Sequence, residues 1–243
     1  MKVRSLLLIL LTISLMFGYR ASASQQGQQI SMATGAYPAL RVPLATNLGG
    51  TTVKVKDNSG LERLAPLFYV SPGQVNYQIP FGTALGNASV TVTSSDGKTS
   101  NGSLQISTIS PGIFSATSDG AGWAAANVQR VKADGSQVFE PVVRYDTQQN
   151  KFVPVPINLS NANEQAYLVL FGTGIRYRNS LINVIVKIAG LEVPVEYAGP
   201  QGAYVGVDQI NLKIPNSLAG KGDVDVTVTV EGKMANIVRV NLK

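Results

Sequence analysis

Apolar and polar residues alternate in two short stretches of this chain, Gln74-Val75-Asn76-Tyr77-Gln78-Ile79-Pro80 and Gln209-Ile210-Asn211-Leu212-Lys213-Ile214-Pro215. A period of two puts Val75, Tyr77 and Ile79 on one face, and Ile210, Leu212 and Ile214 on one face. Each stretch therefore reads as a half-buried β-strand. A proline closes both strands, where its missing N–H least disturbs a ladder. Few chains other than antiparallel sheet proteins carry such a pattern twice.

The likeness extends outward from these strands. Pro66-Leu67-Phe68-Tyr69 answers Pro194-Val195-Glu196-Tyr197, and Ala45-Thr46-Asn47-Leu48 answers Gly172-Thr173-Gly174-Ile175. Downstream, Val90-Thr91-Val92-Thr93 answers Val226-Thr227-Val228-Thr229, and Asp96-Gly97-Lys98 answers Glu231-Gly232-Lys233. The spacing lengthens by seven residues between Tyr197 and Gln209, which places an insertion around Gly199–Tyr204. Short strands in the same order, separated by Gly/Asp turns, predict an all-β chain of two tandem immunoglobulin-like β-sandwich domains joined by a β-hairpin-rich insert.

Residues 1–23 have the form of a secretory leader. Lys2 and Arg4 precede an apolar run, Leu6 to Phe17, and Ala21-Ser22-Ala23 fits a small-x-small cleavage site, so the mature chain is expected to start at Ser24. The run is short for a bilayer span and no later one approaches that length, so no membrane span is expected in the mature chain. Three of the 20 basic residues lie in the leader, leaving 17 against 14 acidic ones. They are scattered without a stripe or aromatic platform, which disfavours nucleic acid. Cysteine is absent. Export permits disulfides without requiring them, so stability must come from burial.

Residues 24–38 are Gln/Ser/Gly-rich and read as a flexible leader segment. The first sandwich is expected over 39–110, with Val53, Val55, Leu67, Tyr69, Val75, Tyr77, Ile79, Val90, Val92, Leu104 and Ile106 inside. A buried Ile79 would make Ile79→Ala cost roughly 2–5 kcal/mol. Pro111-Gly112 marks the boundary, with Ile113 and Phe114 expected to pack between domains. Residues 111–243 then hold the insert, 115–165, and the second sandwich. The insert suggests two hairpins, Val128–Val131 with Gln137–Phe139 and Val142–Tyr145 with Phe152–Val153. No amphipathic helix is expected after residue 23.

Ala65-Pro66-Leu67-Phe68-Tyr69-Val70-Ser71-Pro72-Gly73-Gln74-Val75-Asn76 resembles the uncharacterised C-terminal domain family abundant in secreted acidobacterial proteins. Pro111-Gly112-Ile113-Phe114, Phe171-Gly172-Thr173-Gly174 and Asp208-Gln209-Ile210-Asn211 look like its other signatures, in order along nearly the whole mature chain. The repeats also resemble the IPT/TIG class of immunoglobulin-like domains. The opening strand departs from the pattern: the family usually shows a Pro-Gly start and a Gly-Thr-Asn-Leu end, where this chain has Arg41-Val42-Pro43-Leu44-Ala45-Thr46-Asn47-Leu48. The resemblance implies fold and export. It implies no activity and no catalytic residues.

The chain lacks histidine as well as cysteine, which removes Ser–His–Asp and thiol catalysis and the commonest zinc and copper ligands. Ser95-Asp96-Gly97-Lys98 has Ser-x-x-Lys spacing, but it straddles an expected hairpin turn, where lysine stays solvated and charged. Glu192 and Glu196, four apart on one expected strand, would stand ~13 Å apart, too far to act as a glycosidase pair. Gly172-Thr173-Gly174 lacks the helix that a phosphate loop needs. Asp57, Asp96, Asp119 and Asp134 stand in or beside oxygen-rich turns without calcium-loop spacing, and turn chemistry accounts for them. No cofactor or metal site is expected.

These exclusions favour a secreted non-catalytic binding or adhesion module, extracellular or periplasmic, at the cell surface or in an extracellular assembly. A purely structural spacer pair is the alternative, and a carboxylate-based polysaccharide hydrolase the third reading. The partner would be a protein or a glycan at the cell surface. Because the insert has no counterpart in the first copy, its Trp123, Arg130, Lys132, Arg144, Tyr145 and Lys151 are the expected contact residues.

Overall fold

The computed structural model describes residues 33–39 and 42–243. The expected leader and cleavage site, 1–23, and residues 24–32 lie outside them. Among the described residues regular structure is β-strand except for two 3₁₀ turns, Leu181–Asn183 and Asn216–Leu218. Every pairing between these strands among the described residues is antiparallel, and two isolated bridges onto the last strand, from Trp123 to Arg239 and from Ile157 to Leu242, are parallel. Among the described residues no helix is long and apolar enough to cross a membrane. The chain divides into two compact units after Ser107.

The first unit contains β1 (Tyr37–Pro38), β2 (Asn47–Leu48), β3 (Thr51–Lys56), β4 (Glu62–Leu64), β5 (Leu67–Ser71), β6 (Gln74–Tyr77), β7 (Gly86–Thr93) and β8 (Thr99–Ile106). One sheet runs β3-β7-β8, with β2 and β4 on the other edge of β3; a second runs β1-β5-β6. Val53, Val55, Leu67, Val70 and Val90 form its core. Ala33 joins that core and β1 pairs with β5, so residues 33–38 are built into the unit and are not the loose segment expected.

The second unit contains β9 (Gly112–Ile113), β10 (Ala126–Val131), β11 (Gln137–Pro141), β12 (Val143–Asp146), β13 (Lys151–Pro154), β14 (Gln165–Thr173), β15 (Val184–Ile188) and β16 (Leu191–Val193). It continues with β17 (Val195–Pro200), β18 (Asp208–Ile214), β19 (Gly222–Val230), β20 (Lys233–Met234) and β21 (Val238–Leu242). Its main sheet has the order β11-β10-β14-β18-β17, with β9 on the end of β14. A second sheet runs β16-β15-β19, with β20 and β21 sharing the far edge of β19. The alternation Val224, Val226, Val228, Val230 turns one face of β19 into the core. Glu231 and Gly232 both take positive φ, 49° and 78°, the geometry that lets a two-residue turn close β19 on β20.

The duplication is visible in the pairing. β3 pairs with β4 and β7 as β15 pairs with β16 and β19, and β5 pairs with β6 as β17 pairs with β18. Leu67 pairs with Tyr77 and Tyr69 with Asn76, a bulge intervening; Val195 pairs with Leu212 and Tyr197 with Asn211, with the same bulge. Gln74 Nε2 donates to Asn76 Oδ1, and Gln209 Nε2 to Asn211 Oδ1, each at 2.7 Å. Residues 201–207 form the longer loop of the second copy, where the insertion was expected. The opening matches do not correspond: the Ala45 carbonyl accepts the Leu67 N–H of β5, whereas its match Gly172 pairs with Asp208 of β18.

Three expectations change. Ile79 falls past the end of β6 and is 37% exposed, because Pro80 takes the buried position beside it. Ile113 belongs to the second unit's own core, and the Phe114 N–H donates to Phe171 O at 2.9 Å. The insert does not join two domains. Its first hairpin, β10–β11, extends the main sheet, and its flanks zip onto β21 through Ala124 N to Arg239 O and Ile157 N to Asn241 O. Both flanks satisfy backbone groups that an open edge would leave unpaired.

Two buried carboxylates pin loops. Asp208 accepts the Ile175 and Arg176 N–H groups and the Arg176 guanidinium, at 2.8, 3.2 and 2.7 Å. Asp57 accepts the Ala84 N–H, Ser59, Arg63 and the Leu61 N–H. The Ala84 N–H above all, then the Ser59 hydroxyl, hold its carboxyl well below the usual carboxylate range against the opposing push of burial.

Ile210→Ala should destabilise the protein by roughly 2–5 kcal/mol in urea unfolding, because Ile210 is fully buried, whereas Ile79→Ala should remove less than about 1 kcal/mol. Asp57 has a depressed folded pKa, so its contribution is complete above the unfolded value and fades as pH falls below about 4. Asp57→Asn should therefore be less stable than the parent at pH 7, with the gap closing in acid unfolding toward pH 2.

Candidate functional site

The six residues expected to carry binding lie in four different settings. Trp123 is half-buried, with the Arg239 guanidinium 5.5 Å from its ring centre, and its own carbonyl accepts the Ala116 N–H. Its backbone is bridged to β21, so it fastens the flank of the insert. Arg130 is buried, contrary to its expected exposure. It faces inward on β10 and forms a fork with Glu140, at 2.6 and 2.8 Å, and a longer contact with Glu164 at 3.4 Å. The hydrogen-bonded Glu140 raises its pKa. Lys132 is exposed at the β10–β11 turn. Arg144, Tyr145 and Lys151 are exposed on the separate β12–β13 hairpin, where Tyr145 packs edge-on against Phe152 with ring centres 5.2 Å apart.

The residues considered for catalysis are dispersed or engaged. Glu192 lies on β16 and Glu196 on β17, in different sheets, so they do not share the strand expected for them. Pro194 ends one strand and the chain crosses to the other sheet. Lys98 is exposed at the β7–β8 turn and paired to Asp96 at 2.8 Å, which raises its pKa, the opposite of what a lysine base needs. Gly172 and Gly174 are required by close packing. A Cβ on Gly172 would collide with Gly112 O, and one on Gly174 with Ser110 O. Asp119 accepts from Thr117 Oγ1, the Ala121 N–H and Ser115 Oγ at 2.6, 2.9 and 3.0 Å, which lower its pKa. Among the described residues no three His, Cys, Asp or Glu side chains cluster as metal ligands.

The arrangement that does assemble is the outer face of the main sheet. Register fixes its rows. Phe139 pairs with Gln129, Gln129 with Tyr167 and Tyr167 with Lys213. Pro141, Asn127, Val169, Asn211 and Tyr197 form the next row, and Phe171 with Gln209 the one beyond. The inward positions of the same strands, Val128, Leu168, Leu170, Ile210 and Leu212, are the core. Val169 is buried yet outside that core, a floor between two asparagines. Phe139 is 62% and Tyr197 37% exposed. Lys213 is the one charged residue in these rows.

The face is braced by its own polar groups. Gln129 Nε2 donates to Gln137 Oε1 at 2.8 Å, Tyr167 Oη to Gln165 Oε1 at 2.6 Å, and Gln209 Nε2 to Asn211 Oδ1. The bulge in β17 turns Tyr197 to this side, and its hydroxyl donates to Pro200 O at 2.5 Å. Chemically the face offers π surfaces separated by amides, with neither an acid–base pair nor a nucleophile. Sequence reasoning found the insert, which supplies Asn127, Gln129 and Phe139, but chose none of these three as a contact residue. The available signal was the outward half of each alternation: polar or aromatic where a merely wet strand carries charge.

A scan against protein-family models finds no match, and a search of the curated proteins finds no relative.

The placement of the insert's cations is testable by unfolding. Arg130→Ala should lower stability by roughly 3 kcal/mol, since it strands Glu140 and Glu164 beside the core. Lys132→Ala, Arg144→Ala and Lys151→Ala should each stay within about 0.5 kcal/mol of the parent.

Proposed function

We propose that this chain is an exported, non-catalytic binding or adhesion module, made of two tandem immunoglobulin-like β-sandwiches of the IPT/TIG type, acting at the cell surface or in an extracellular assembly. The observation that carries the reading is the outer face of the main sheet in the second unit. Four aromatic rings and a set of amides face outward from five strands, whose inward side chains are core on β14, β18 and β17 and are core joined by the Arg130–Glu140 pair on β10 and β11. A spacer needs only solubility there, and Lys, Glu and Thr supply it more simply. A hydrolase needs converging carboxylates, and Glu192 and Glu196 stand in different sheets.

The repeats supply the scaffold and the insert completes the surface, since β10 and β11 hold two of its five strands. Binding at such a face needs little reorganisation, because the strands and the braced side chains are set before the partner arrives.

Labelled protein should be retained on washed envelopes of the cells that make it. The double substitution Phe139→Ala with Tyr197→Ala should reduce retention at least tenfold while the melting temperature moves little. Equal retention of the double variant and parent would remove the face from the account; failure of the parent to be retained at all would remove the binding role.

A further inference from the structure

Resting on that reading of the face, we infer that its ligand is a neutral, extended glycan of equatorially linked pyranoses, lying across the strands. The order of side chains across the sheet is the argument. From one edge to the other, β11 presents Phe139, β10 presents Asn127 and Gln129, β14 presents Tyr167 and Phe171, β18 presents Gln209 and Asn211, and β17 presents Tyr197. Along these rows aromatic or apolar positions alternate with polar ones over a width of roughly 19 Å at the usual strand spacing of about 4.8 Å, and the outward Gln137 and Gln165 border them at the β10–β11 turn end.

Such a glycan has the same alternation. Each equatorially substituted pyranose turns its axial C–H groups to the ring faces, which are apolar, and its hydroxyls to the rim. A ring face stacks on an aromatic side chain, and the hydroxyls exchange hydrogen bonds with neighbouring amides. A side-chain amide has two donors and an acceptor oxygen with two lone pairs, so the single bond Gln209 makes to Asn211, or Gln129 to Gln137, leaves capacity for a ligand. Aromatic rings on alternate strands, about 10 Å apart, suit every second sugar of an extended chain.

The charge of the face selects against other partners. The face carries Lys213 in its rows and the exposed Glu196 in the bulge beside Tyr197, one charge of each sign, so it offers little net Coulombic hold on a polyanion or on a strongly charged protein patch. The nearby Arg130 is turned inward and neutralised by Glu140. A helical α-glucan would bend away from a row of rings this wide.

The probe is a depletion isotherm of the exported protein on amorphous cellulose, with granular starch and alginate beads in parallel, at low and high salt. The protein should bind cellulose, with salt changing affinity little, and should bind starch more weakly. Phe139→Ala and Tyr197→Ala should each weaken cellulose binding by about fivefold, the scale of one lost stacking contact, and Tyr145→Ala should not. Cellulose binding that is absent, or that survives both face substitutions, overturns the inference, as does binding to alginate alone that vanishes in salt. If envelope retention depends on Phe139 and Tyr197 while cellulose is not bound, the glycan inference fails and the binding face stands, with a protein as its partner. If neither depends on them, both fail.

Discussion

The pairing of β14 with β18 is the interaction on which the second unit depends. Seven residue pairs, from Ala166 with Ile214 to Gly172 with Asp208, join the strand that follows the insert to the alternating strand of the second copy. Inward, Leu168 and Leu170 meet Ile210 and Leu212, all fully buried. At roughly 1.5–3 kcal/mol for each such side chain, this row is a large part of what folds the unit. At one end, Asp208 turns from the ladder to hold Ile175 and Arg176 and so fixes the exit of β14. Outward, the same register sets Tyr167 beside Lys213 and Phe171 beside Gln209. The core chooses the register, and the register composes the face: a slip of one residue would exchange the two.

The two copies of the motif show what that pairing adds. The bulged hairpin is the same in both, down to the Gln–Asn bond. In the first unit β6 pairs with β5 and the described sheet is three strands wide; Asn76 is buried. In the second, β14 and the insert's β10 and β11 widen the sheet to five strands in a row, and the equivalent Asn211 lies partly open among aromatic neighbours. The hairpin gives core residues on its inward face in both copies, and the copies differ in the outward asparagine, buried as Asn76 and partly open as Asn211.

Much of the fold was legible because it is local. Alternation gave β6, β7, β18 and β19, and Asp-Gly or Glu-Gly gave their turns. Errors arose where a local pattern met a non-local event. Ile79 continues the alternation, but the strand has ended and Pro80 is the buried residue. Glu192 and Glu196 look like one strand, yet the chain changes sheets at Pro194. Arg130 looks like a surface cation, and only the fold brings Glu140 and Glu164 to it. The candidate face was hidden for the same reason: its rows combine β11, β10, β14, β18 and β17, whose order no periodicity reveals. The insert stands out by having no repeat partner, but its exposed hairpin β12–β13 draws attention from the paired one.

The claim that binds these observations together is that the outer face of the main sheet is a ligand surface. It is tested most directly by amide chemical-shift mapping of the isotopically labelled protein titrated with a β-1,4-linked glucan oligosaccharide. The account predicts perturbations that centre on Phe139, Gln129, Tyr167, Asn211 and Tyr197 and saturate together. Perturbations confined to the β12–β13 hairpin or to the first unit, or a spectrum unchanged at saturating oligosaccharide, would contradict it.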